Sequence, residues 1–120
     1  MDKPHKKLDV WKLSMDLSQA IYRLTAGYPN EEKFGLVSQM RRAAVSIPSN
    51  IAEGAARSSN NEFRHFLSIA RSSLSELDTQ LDLSQQLGYI TEQSREEIDI
   101  PLSRIDKMLY ALYQSKKKVD

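Results

Sequence analysis

Residues 63–88 read FRHFLSIARSSLSELDTQLDLSQQLG. Phe63, Leu67, Ala70, Leu74, Leu77, Leu81, Ser84 and Gly88 recur there at alternating steps of four and three. That is the heptad seam of a helix packed at a shallow angle against its neighbours. Ser59-Asn60-Asn61-Glu62 just upstream has the form of a capping box. Gly88 supplies a C-terminal stop. The spacing predicts a helix over 60–88. Serines at 68, 72, 73 and 75 keep part of its surface narrow, so a neighbour can come close.

The same periodicity extends in both directions. Downstream, Ile98, Leu102, Ile105, Leu109 and Leu112 repeat the heptad and predict a helix over about 91–115. Pro101 is expected to kink or restart it, because proline removes the bond to the Glu97 carbonyl. Upstream, Leu36, Met40, Ala43, Ala44, Ile47, Ile51 and Gly54 share one angle. They predict a helix over 31–57, roughly 40 Å long, capped by Asn30. The first helix is expected over 9–26, with Gly27 as a left-handed stop. Links shorter than about eight residues then favour antiparallel neighbours. The expected fold is all-α, an up-down-up-down four-helix bundle in a single domain, 1–120.

The first helix carries two apolar stripes. One is Trp11, Met15, Ser18 and Tyr22; the other is Val10, Leu13, Leu17, Ala20, Ile21 and Leu24. Together they span roughly 220° of the helix surface, about twice what a helix on the outside of a small bundle needs. The excess predicts a homo-oligomer, with Trp11, Met15, Leu17, Tyr22 and Leu24 at the contact.

Composition limits the chemistry. The 120 residues contain no cysteine and two histidines, His5 and His65. Disulfides, thiolate metal sites and cysteine nucleophiles are excluded, and no metal or other cofactor is expected. No apolar run reaches the length of a membrane span. No secretory leader pattern is present, so the expected location is cytoplasmic. About two-thirds of the surface can be buried, enough for one modest core.

The net charge of +1 hides a polarity. Residues 33–71 hold six basic side chains against Glu53 and Glu62. Residues 72–106 hold eight acids against Arg95 and Arg104, and Lys116-Lys117-Lys118 returns the tail to positive. Opposite signs on separate elements can bind each other, a second copy, or a polyanion.

In residues 39–57, QMRRAAVSIPSNIAEGAAR, Pro48 sits inside a helical pattern and frees the Ala44 carbonyl. Ser46 and Ser49 are the nearest candidates to satisfy it. Gln39, Arg42, Ser46, Asn50, Glu53 and Arg57 form a polar ladder beside the apolar stripe. One reading makes the ladder, with Pro48 and Gly54, a buried network that sets register. A second makes Arg41, Arg42, Arg57, Arg64 and Arg71 a nucleic-acid surface. A third, catalysis by Glu53 and His65, finds no nucleophile with its base and no phosphate loop, so no catalytic residue is assigned.

Several blocks together resemble a known family. They are Leu8-Asp9-Val10-Trp11-Lys12, Tyr28-Pro29 with Phe34-Gly35-Leu36, Ser38-Gln39-Met40-Arg41-Arg42-Ala43-Ala44, Ser46-Ile47-Pro48-Ser49-Asn50-Ile51-Ala52-Glu53-Gly54, Phe66-Leu67-Ser68-Ile69-Ala70-Arg71 and Leu87-Gly88-Tyr89. The chain resembles the bacterial four-helix bundle proteins encoded within intervening sequences of 23S ribosomal RNA genes. The resemblance implies a homopentamer, kinship with the accessory proteins of diversity-generating retroelements, and no established enzymatic activity. The net charge of +1 departs from those strongly basic accessory proteins. The expected role is a non-enzymatic scaffold or binding module. Its expected partners are its own copies and structured RNA or an RNA-bound protein, with no membrane and no small-molecule substrate. The alternative is a purely structural homo-oligomer whose arginines form ion pairs.

Overall fold

A computed structural model describes residues 1–117; Lys118 of the basic tail lies outside the described residues. The described residues are all-α. The helices are α1 (Asp9–Thr25), α2 (Leu36–Ala55), α3 (Asn60–Gln86) and α4 (Glu92–Ser115), with short 3-10 turns at Pro4–Lys7 and Asn30–Glu32. Among the described residues, no helix is long and apolar enough to cross a membrane.

Each helix packs on the next, and α4 returns to α1. The diagonal pairs, α1 with α3 and α2 with α4, lie apart. One core fills the middle, with Ile21, Met40, Ile47, Ile51, Leu67, Leu77, Leu81, Ile105 and Leu109 inaccessible to solvent. Contacts between successive helices run in reversed order. Gly54 meets Phe63 and Phe66, Ser46 meets Ser73, and Met40 meets Ser84. Likewise Arg64 meets Tyr113, Arg71 meets Asp106, and Arg95 meets Asp82.

Two of the expected helix signals are present. The Ser59 hydroxyl accepts from the Glu62 amide at 3.1 Å and starts α3. Gly88, at φ +80°, ends that helix in the left-handed region. Thr91 caps α4 by accepting from the Ser94 amide.

Other expectations need correction. Gly27 is not left-handed. The second helix begins at Leu36, not at residue 31, so it is about 30 Å long and its preceding connection covers ten residues, 26–35. Gly35 (φ −111°, ψ −110°) breaks the helical path there. Asn30 caps nothing; instead the Glu32 carboxylate reaches the Leu36 amide at 3.4 Å. That places an acid at the positive helix end from outside the helix. Of the two outcomes expected at Pro101, a restart is ruled out, since α4 runs through it from Glu92 to Ser115, and the carbonyl it frees is that of the exposed Glu97.

Pro48 likewise stays inside α2, and its side chain is buried. Neither Ser46 nor Ser49 serves the freed carbonyl. The Ser18 hydroxyl of α1 lies 3.0 Å from the Ala44 oxygen. It is equally close to the Ser14 oxygen, which already has a helical amide partner. The Ala44 oxygen is therefore the better acceptor. Ser18→Ala is expected to cost about 1–2 kcal/mol by leaving that carbonyl unpaired. Ser49→Ala should be neutral. Urea midpoints of the two variants check the difference.

The buried face of α1 reads Val10, Ser14, Leu17, Ser18, Ile21 and Thr25. Ser14 and Thr25 donate to the carbonyls four residues back, at 2.6 and 2.7 Å. A hydroxyl satisfied this way can enter a core.

Candidate functional site

The outward stripe of α1 and the facing side of α2 enclose an open groove of about 650 Å³. Trp11, Met15 and Tyr22 form one wall, and Val45, Pro48 and Ala52 form the other. The groove is predominantly apolar. Met15, Tyr22 and Val45 remain 39%, 45% and 41% exposed. Beyond Val45 a second groove of about 660 Å³ runs along Val37, Ser38 and Phe34, which is 90% exposed. The charged residues lining the two grooves are Arg23, Lys33, Arg41 and Arg42, with no carboxylate among them.

Three residues expected at an oligomer contact, Trp11, Met15 and Tyr22, line this face. Leu17 does not, since it is 1% exposed inside the chain's own core. It lies two residues from Met15, hence about 200° around the helix. Leu24 packs against the core and does not line the groove. Met15 and Tyr22 of one stripe thus face open space, whereas Leu17 and Ile21 of the other are buried, as is Ser18 between them.

The five arginines do not share one face. Arg41 lies on the α1–α2 seam, its guanidinium 4.5 Å from the Tyr22 ring centre. Its Nε donates to Thr25 Oγ1 at 3.0 Å. Arg42 is exposed beside a crevice lined by Gln39, Ser46, Ser73 and Glu76. Arg57 pairs with Glu53 at 3.1 Å and stacks 4.8 Å over Phe66. Arg64 stacks 4.1 Å over Tyr113 and donates to its carbonyl at 3.3 Å. Arg71 stacks 4.9 Å over Tyr110, with Asp106 3.6 Å away. The expected single basic side is thus divided: Arg41 lies on the α1–α2 seam, Arg42 and Arg57 lie between α2 and α3, and Arg64 and Arg71 lie on the α3–α4 seam.

The polar ladder is linked in its middle and at its end, where Arg57 pairs with Glu53. Asn50 Nδ2 donates to the Ser46 carbonyl and hydroxyl at 2.8 and 2.9 Å. The Ser46 and Ser73 hydroxyls lie 2.8 Å apart and tie α2 to α3. Gln39, Arg42 and Glu53 are exposed, so the expectation of a network buried throughout is corrected. Pro48 and Gly54 belong to packing instead. Pro48 faces α1, and Gly54 lies directly against Phe63 and Phe66 of α3.

Arg95 drew no special notice in the sequence. It is 11% exposed and donates to Asp78, to Asp82 at 2.9 Å and to Asp99 at 3.3 Å. Burial alone would lower the pKa of its guanidinium, but the hydrogen bonds to Asp82 and Asp78 outweigh it and hold the group above its usual value. Asp78 is thereby engaged within the α3–α4 pair. At the same end of the molecule Tyr89 donates to Glu32 at 2.8 Å, and that bond chiefly keeps its hydroxyl above the usual tyrosine range.

No three potential metal-ligating side chains gather among the described residues. His65 packs edge-on against Phe66, and Glu53 is occupied by Arg57.

A family model described as 23S rRNA-intervening sequence protein matches residues 6–111. The chain is also similar to a solved structure from Bacteroides thetaiotaomicron, a protein with unknown function from the S23 ribosomal protein family. The two are 26% identical with a TM-score of 0.78, over 87% of this chain and 97% of that one. No curated protein matches.

Proposed function

The chain belongs to the 23S rRNA-intervening sequence protein family, and on that premise we propose that it is a non-enzymatic scaffold or binding module. In this reading it is an antiparallel up-down-up-down bundle that works as a homo-oligomer through its α1–α2 face. The reversed contact order between successive helices supports the antiparallel path. The observation that carries self-association is the apolar groove that a single chain leaves open beside Trp11, Met15, Tyr22 and Val45. The number five rests on the resemblance to the family's pentamers.

Light scattering at micromolar concentration should give a multiple of the 13.7 kDa chain mass. The double variant Met15→Glu with Val45→Glu should fall to a single chain, because it buries two carboxylates at the contact. A wild-type mass of 13.7 kDa would defeat the reading.

A second reading, RNA binding, draws on the α3–α4 seam. There Arg64 and Arg71 lie on Tyr113 and Tyr110, and Lys116 lies 5.3 Å over Phe63. Cations interleaved with aromatic rings suit phosphates and stacked bases. Affinity for a structured RNA hairpin should fall steeply between 50 and 200 mM salt, and Arg64→Ala with Arg71→Ala should reduce the log–log slope by about two. Filter binding measures both. Salt-insensitive binding, or none, favours arginines that serve only packing and ion pairs.

A further inference from the structure

We propose that the groove on the α1–α2 face receives the outer side of α4 from a second copy, centred on Ile100, so that copies join head to tail. This rests on the self-association reading and adds its missing half, the surface that enters the groove.

Ile100 is 72% exposed. It is two residues from both Ile98 and Leu102, which pack on or within the core. At 100° per residue it therefore projects to the far side of the helix. Its neighbours one turn upstream are Glu96 and Glu97, both exposed, with Glu92 a further turn away. Arg104 stands one turn downstream, and exposed Lys107 a further turn away. Arg95 is turned inward to Asp78, Asp82 and Asp99. Ile100 is thus an apolar knob with an acidic flank on its upstream side.

The two grooves, which share Tyr22, Val45 and Ser49, are the complement. Arg23 lines the first, and Lys33, Arg41 and Arg42 line the second. Opposed potentials of this kind select a partner and set its register. Phe34 is more exposed than Ile100 but does not suit the role. Its ring lies 5.5 Å from the Lys33 ammonium, which already belongs to the groove lining. Phe34 would carry like charge onto like charge.

The two surfaces lie on different elements, so each copy offers one groove and one knob. Contacts of this type add copies until a ring closes. An apolar surface on one helix face and a charge split between early and late helices then have one common use.

Two surface substitutions separate the halves. Val45→Glu blocks the groove and leaves the knob; Ile100→Glu removes the knob and leaves the groove. Circular dichroism checks that both fold, and Met15→Glu replaces Val45→Glu if it does not. Each variant alone should have the mass of one chain. Mixed in equal amounts they should form a dimer of twice 13.7 kDa and nothing larger, because the dimer's remaining groove and knob are both disabled. If Ile100→Glu alone keeps the wild-type mass, the knob is wrong while self-association stands. If Val45→Glu keeps it as well, the reading of the α1–α2 face falls too. A single-chain wild type that binds a 20-nucleotide uridine RNA, with binding lost in Val45→Glu, would make the groove a nucleic-acid surface and overturn the proposal.

Discussion

Gly54→Ala is expected to lower stability by about 2 kcal/mol, even though alanine is the better helix former. In an open helix the exchange would gain about 1 kcal/mol. Here a Cβ at position 54 would lie 2.8 Å from Phe63 Cδ1, 2.9 Å from Phe66 Cβ and 3.2 Å from the Phe63 carbonyl oxygen. The Phe66 Cβ and the carbonyl oxygen are not flexible ends that can swing away. Relief requires α3 to move off α2 along their most extensive contact. Overpacking of this kind costs about 1–3 kcal/mol, occasionally more, and the clash at three atoms puts Gly54→Ala at the upper end, so the propensity gain is outweighed. Gly27→Ala is the control. Its nearest neighbour is the Leu24 carbonyl at 3.8 Å, and its φ is not positive. Urea unfolding should show a clear drop in midpoint for the first variant and none for the second. Equal midpoints would refute the packing account of Gly54.

Arg95→Met should be the other strongly destabilising change, again by about 2 kcal/mol. Methionine keeps most of the length and removes the charge. The variant loses hydrogen bonds to three aspartates. Bonds to charged groups contribute about 1.5–3 kcal/mol each when buried. These carboxylates are 44%, 58% and 52% exposed, so each contributes far less through solvent screening. What remains is the mutual repulsion of Asp78, Asp82 and Asp99 without their shared cation. The loss should concentrate in the first half of α4, where Glu92–Pro101 contributes no buried residue. Amide exchange there should speed up more than in α2. High salt should narrow the gap to wild type, since it screens the pair in one protein and the repulsion in the other. Exposed Arg104→Met should change neither measurement. A uniform loss across all helices would count against a local staple.

Much of this architecture is written in short-range patterns. The seam from Phe63 to Ser84 and the stripe from Leu36 to Gly54 identify helices and their inward faces, because a helix places every third or fourth residue on one side. Ser59 and Gly88 mark the ends of α3 for reasons contained within a single turn. The surplus apolar surface of α1 is legible for the same reason, and the open groove beside Trp11 and Met15 lies along it.

What escaped the sequence depends on partners far apart in the chain. Ser18 meets the Ala44 carbonyl across 26 positions, and Arg64 meets Tyr113 across 49. Asp78 and Asp82 close on Arg95 across a helix turn-around. The five arginines look like one basic cluster in a linear count, yet Arg41 settles on Tyr22 of α1, Arg64 and Arg71 on tyrosines of α4, and Arg42 and Arg57 between α2 and α3. Periodicity reports the angle at which a side chain leaves its own helix. Which atom it then finds, and whether a hydroxyl, a missing Cβ or a cation is needed there, is settled only when the helices cross at definite heights.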